Sequence, residues 1–149
     1  MRFFGKNWIK NGLALAFVSV CVGVLALFFA CPFCAVEGEK GYFLYSESSQ
    51  AVIKESFSLK EAFFLTGQSV RVELEFKTDK EREDWVKGEL ERWKAVLLFK
   101  ENADGVVCYY AYCSRLGRGI LLNGEFVNLH IAVRGNVATV GSPIVFGGY

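Results

Sequence analysis

Hydrophobic and polar positions change their spacing several times along this chain, and the first change is the sharpest. Leu13 to Ala30 reads LALAFVSVCVGVLALFFA, and no charged side chain occurs between Asn11 and Val36. As a helix rising about 1.5 Å per residue, the stretch would extend about 27 Å, close to a hydrocarbon core of about 30 Å. A helix packed inside a soluble domain keeps a polar face, and this one has none. Arg2, Lys6 and Lys10 precede it. The positive-inside rule therefore puts residues 1–12 in the cytoplasm and everything from Glu37 on the far side, with Trp8 as an interfacial anchor.

The apolar run is longer than the roughly 7–15 residues of a secretory signal. Phe28, Phe29 and Phe33 also stand where a cleavage site wants small residues. The expectation is a retained single-pass anchor over residues 13–36. The alternatives are a secreted product cleaved near Gly38 and a chain lipidated at Cys31.

From Tyr42 the pattern alternates between period 2 and period 3.6. Tyr42 to Tyr45 and Ala51 to Ile53 read as short strands. Ser58 and Glu61 have capping-box spacing, which predicts a short helix over Leu59 to Leu65. Val70, Val72, Leu74 and Phe76 alternate with Arg71, Glu73 and Glu75, a strand with one buried and one charged, solvated face. Thr78 and Glu81 repeat the capping box and open a helix over Asp79 to Trp93, with Val86, Leu90 and Trp93 on one stripe.

Lys94 to Phe99 and Val106 to Cys113 read as strands joined through Asp104-Gly105, and the second has no polar face, which suits a central position. Ile120 to Leu122 and Phe126 to Val133 flank Asn123-Gly124, the strongest hairpin signal in the chain. Val137 to Val140 follows another turn, and Pro143 predicts an edge position for Ile144 to Phe146. The order implies an α+β fold: residues 37–149 as a small, mostly antiparallel sheet with two helices packed on one face.

Composition sharpens the topology. All 16 acidic residues lie from Glu37 onward, so that portion carries about −2 against +1 for the whole chain. A weakly acidic domain with no basic stripe is a poor nucleic-acid binder.

The chemistry-bearing residues are few. Cys31-Pro-Phe-Cys34 has redox spacing, and a thiol redox protein using this pair is one alternative function. Yet the motif closes an apolar segment instead of opening a helix after a strand, so lipidation competes with it. Cys108 and Cys113 are five apart on one strand, too far for a mutual bridge, and are expected as buried thiols. The only histidine, His130, falls opposite Leu129, Ile131 and Val133 and is expected exposed. No catalytic residues, cofactor site or zinc ligand set emerge. Tyr110 and Tyr112 share a strand face and form a candidate partner-binding patch. The functional expectation is a non-catalytic extracytoplasmic domain, tethered to the membrane, that binds a protein or envelope partner through its sheet.

Overall fold

The computed structural model describes residues 12–23, 33 and 36–145. The chain divides into two compact units, Met1–Cys34 and Ala35–Tyr149. In the first, residues 12–23 are helical with exposed side chains, and the Ser19 hydroxyl donates to the Leu15 carbonyl at 2.9 Å. Among the described residues no helix is long and apolar enough to cross a membrane. Most of the expected anchor beyond Gly23 lies outside the described residues.

The second unit is α+β. Its strands among the described residues are β1 (Glu39–Leu44), β2 (Val52–Lys54), β3 (Leu65–Glu73), β4 (Val96–Ala103), β5 (Val106–Tyr112), β6 (Ile120–Leu122), β7 (Glu125–Val127), β8 (Leu129–Arg134) and β9 (Val137–Ser142). Seven form one antiparallel sheet in the order β2-β1-β3-β9-β8-β5-β4, and β6 pairs with β7 separately. Both hairpin dipeptides fold as their composition requires: Asp104, Gly105, Asn123 and Gly124 all have positive φ, the geometry of a tight primed turn.

The strand register sorts the side chains into two layers. Val70, Val140, Ile131, Tyr109 and Ala111 lie on one face across β3, β9, β8 and β5 and are all buried. Helix α1 (Asp79–Trp93) covers this face and buries Val86 and Leu90. It lies beside Lys100, Val107 and Tyr109 near its start, and beside Val72 and Val140 farther along. The Thr78 hydroxyl accepts the Glu81 amide at 3.2 Å, and Lys94 ends the helix in the left-handed region.

Four expectations need correction. The helix expected over Leu59 to Leu65 is a single 3-10 turn, Glu61–Phe64. The Ser58–Glu61 box forms, with the Ser58 amide on Glu61 Oε2 at 2.8 Å, but Leu65 is drawn into β3 opposite Leu44 and ends the turn. The strand expected over Ser69 to Phe76 runs from Leu65 to Glu73, the length that pairs with β1 and β9. The single strand expected over Phe126 to Val133 breaks at Asn128 into β7 and β8. Ile144 and Val145 form no edge strand. After the cis Ser142–Pro143 bond the chain turns back so that Val145 lies against Gly141 and His130.

Candidate functional site

The sheet face opposite α1 carries Cys108, Tyr110 and Tyr112 from β5, His130 and Ala132 from β8, and Phe99 and Glu101 from β4. Pairing sets Phe99, Tyr110 and His130 in one row across three strands. The Phe99 and Tyr110 rings stack at 4.6 Å, and Tyr110 and His130 stack at 4.6 Å with only 4° between their planes. Val106, Cys108 and Ala132 form a small buried cluster beside this row, with Tyr110 packed on it.

His130, expected exposed, is 1% exposed. Two-sided burial explains the difference, because β8 lies between β9 and β5 and the returning segment at Val145 covers the far side. The Val145 amide donates to His130 Nδ1 at 3.1 Å, which assigns the ring proton to Nε2, and Nε2 has no hydrogen-bond partner among the described residues. Burial pushes the imidazole down to about 4, so it stays neutral near pH 7. A general base needs a carboxylate to orient it and a nucleophile to serve. Neither is hydrogen-bonded to this ring among the described residues. The Cys108 thiol is driven up by burial, against a smaller opposing pull from its bond with Tyr110, and so stays protonated. This row is built as packing.

Asn128 is buried with its side-chain amide fully bonded. Its Oδ1 accepts the Cys113 amide at 2.6 Å, and its Nδ2 donates to the carbonyls of Cys113 at 2.8 Å and Leu116 at 2.7 Å. It clamps the loop after β5 and so sets where the β6–β7 hairpin leaves the sheet. Cys113 is buried here as well, its thiol donating to the Trp93 carbonyl at 3.1 Å.

Beyond this clamp the apolar surface comes into the open. Val96 pairs with Tyr112, the Tyr112 ring meets Phe126 edge-on at 6.2 Å, and Phe126 pairs with Leu121. All four are exposed, from 41% at Tyr112 to 74% at Leu121. The Phe126 ring lies over Gly119, where a Cβ would come within 2.6 Å of it. The result is one apolar surface running from edge strand β4 over β5 to the hairpin.

A polar cleft of about 330 Å³ lies between the first turn of α1 and the sheet, lined by Arg82, Glu83, Lys100, Asn102 and Tyr109 among others. Its cations are already matched: Arg82 bonds Asp79 at 2.5 Å, and Lys100 bonds Glu83 at 3.0 Å while lying 5.2 Å from the centre of the Tyr109 ring. The Lys100 contact holds the Glu83 carboxyl below its usual range, and the same bond holds Lys100 above its own. No surplus charge is left to recruit an anion.

The two candidate tyrosines thus share a face and have different surroundings. Tyr110 is inside the stacked row, and Tyr112 lies at the open end. Cys31 and Cys34 lie outside the described residues. Among the described residues no group of three or more His, Cys, Asp or Glu side chains could hold a metal ion. Sequence reasoning missed Leu121 and Phe126. The available signal was a large apolar residue two positions out on either side of Asn123-Gly124, where a short hairpin cannot bury both of its faces. No family model matches the chain, and no curated protein or solved structure does either.

Proposed function

We propose that this chain is a single-pass membrane protein. Its folded domain stands on the extracytoplasmic side and binds a protein partner of the envelope, without catalysis, through the apolar end of its sheet. The carrying observation is the continuous exposed row Val96, Tyr112, Phe126 and Leu121. Scattered exposed apolar residues need no explanation, but a contiguous aromatic and aliphatic surface rimmed by polar residues suits a protein interface. The membrane side of the reading rests on the uncharged stretch from Leu13 to Ala30 and the cations that precede it.

Replacing Phe126 by benzoylphenylalanine in the full chain and illuminating intact cells tests the binding. One discrete protein adduct is expected, lost when Tyr112→Ser and Leu121→Ser are added, and an absence of protein adducts would remove the interface. Fractionation tests the tether. The chain is expected in the membrane fraction with residues 1–36 attached. Recovery of a shorter form from the medium would favour the secreted alternative, since cleavage near Gly38 leaves β1 whole.

A further inference from the structure

A second exposed surface, at the other end of the chain's first hairpin, has a different character. Leu59 is 74% exposed, Phe63 is 87% exposed, and Phe64, Tyr45, Val52 and Ile53 are all about half exposed or more. They belong to one place in the fold. β1 ends at Leu44, opposite Val52 of β2, and the Tyr45 amide donates to the Phe64 carbonyl at 2.9 Å while the two rings meet at 5.2 Å. Lys54 of β2 bonds Glu61 of the 3-10 turn at 2.5 Å, and the Ser58 hydroxyl donates to the other oxygen of Glu61 at 2.8 Å. From beneath, the Thr66 hydroxyl bonds the carbonyls of Phe43 and Ser46, at 3.1 and 2.6 Å. Tyr45 itself is held at φ 69°, a conformation that side chains other than glycine rarely keep. The tip is therefore a pinned structure that holds Leu59 and Phe63 outward.

We propose that this tip inserts into the surface of the lipid bilayer, with Phe63 and Leu59 entering among the acyl chains. Shape favours lipid over a protein groove. Leu59 and Phe63 are the most exposed side chains of the tip, and a fluid bilayer moulds itself around such projections where a protein would need a matching cavity. Tyr45, exposed beside them, suits the headgroup level. Lys60 beside Leu59 can reach phosphate while its stem stays apolar. Lys54 is neutralised by Glu61, so contact rests on apolar insertion and not on attraction to anionic lipid.

Reach is sufficient. This inference rests on the membrane-tether reading above: with Leu13 to Ala30 in the bilayer, residues 31–38 span at most about 28 Å fully extended. The six residues of β1 span about 20 Å, so the tip can come back to the surface that the chain has just left.

The test places benzoylphenylalanine, one position at a time, at Phe17, Phe63 or Phe126 of the full chain, illuminates membranes of the producing cells, and reads adduct mass. Phospholipid adducts at Phe63 as well as at Phe17, with none at Phe126, are the expected result. Lipid adducts at Phe17 with protein adducts or no adducts at Phe63 would overturn the tip's role and leave the tether standing. Equal lipid labelling at Phe63 and Phe126 would mean random collision and would also overturn it. No lipid labelling at Phe17 would remove the tether, and this proposal with it. Phe63 lies outside the core, so the replacement leaves the fold in place.

Discussion

His130 accepts the backbone amide of Val145 through Nδ1 at 3.1 Å, so the only histidine of the chain holds down the segment that follows Pro143. The bond exists only while the ring is neutral. Its ordinary value of 6.5 falls to about 4 through burial. Between those values the unfolded chain takes up the proton more readily than the folded one. The stability that His130 contributes is therefore complete above pH 6.5 and is lost as pH falls towards 4. A loss of roughly 2 kcal/mol between pH 7.5 and 5 is expected. Urea unfolding at both pH values measures it. His130→Phe should flatten that slope, since it keeps the ring stack and removes the titration.

Asn128→Ala should be among the most damaging single changes in the domain. It leaves the Cys113 amide and the carbonyls of Cys113 and Leu116 buried without their partner. Each orphaned group costs about 1–3 kcal/mol. A total above about 3 kcal/mol, read as a fall in the denaturation midpoint, is the expected outcome. Asn128→Asp should not rescue it, because a carboxylate would then face two carbonyl oxygens.

Two glycines should respond in opposite directions. Gly88 is exposed in the middle of α1 and a Cβ there meets nothing within 4 Å, so Gly88→Ala should stabilise by about 0.5–1 kcal/mol. At Gly67 a Cβ would meet the Ser142 carbonyl oxygen at 2.6 Å and the Phe43 ring at 2.8 Å. Gly67→Ala should therefore push β3 away from β9 and lower the melting temperature.

Tyr110 and Tyr112 should separate stability from binding. Tyr110→Ser empties a place between the Phe99 and His130 rings and should cost about 3 kcal/mol. Tyr112→Ser and Phe126→Ser remove partly exposed rings, the second of them packed over Gly119, and should each cost about 1 kcal/mol while weakening partner capture. Thermal melts beside crosslinking from a neighbouring site, such as Leu121, check both halves.

What could be read from the chain was local. Thr78 and Glu81 opened α1 at the expected residue, and Asp104-Gly105 and Asn123-Gly124 turned where their dipeptides demanded. What escaped was decided by distant pairing. Ser58 and Glu61 made their capping box, yet β1 captured Leu65 and left one turn of helix. His130 reads as half of an alternating strand, and only the packing of β8 between two strands and beneath Val145 hides it. Asn128 looks like an ordinary polar position because its partners at 113 and 116 are remote in sequence. The open end of the tyrosine strand was hidden for the same reason, since Phe126 reaches Tyr112 across a connection that no periodicity reports.

The sheet order has a consequence for how the domain is made. β9 occupies the middle of seven strands, joining β3 on one side to β8 on the other. Without Val137–Ser142 the other six strands of that sheet fall into two sets, β2-β1-β3 and β8-β5-β4, with no pairing between them. The seven-stranded sheet is continuous only once this last strand is in place.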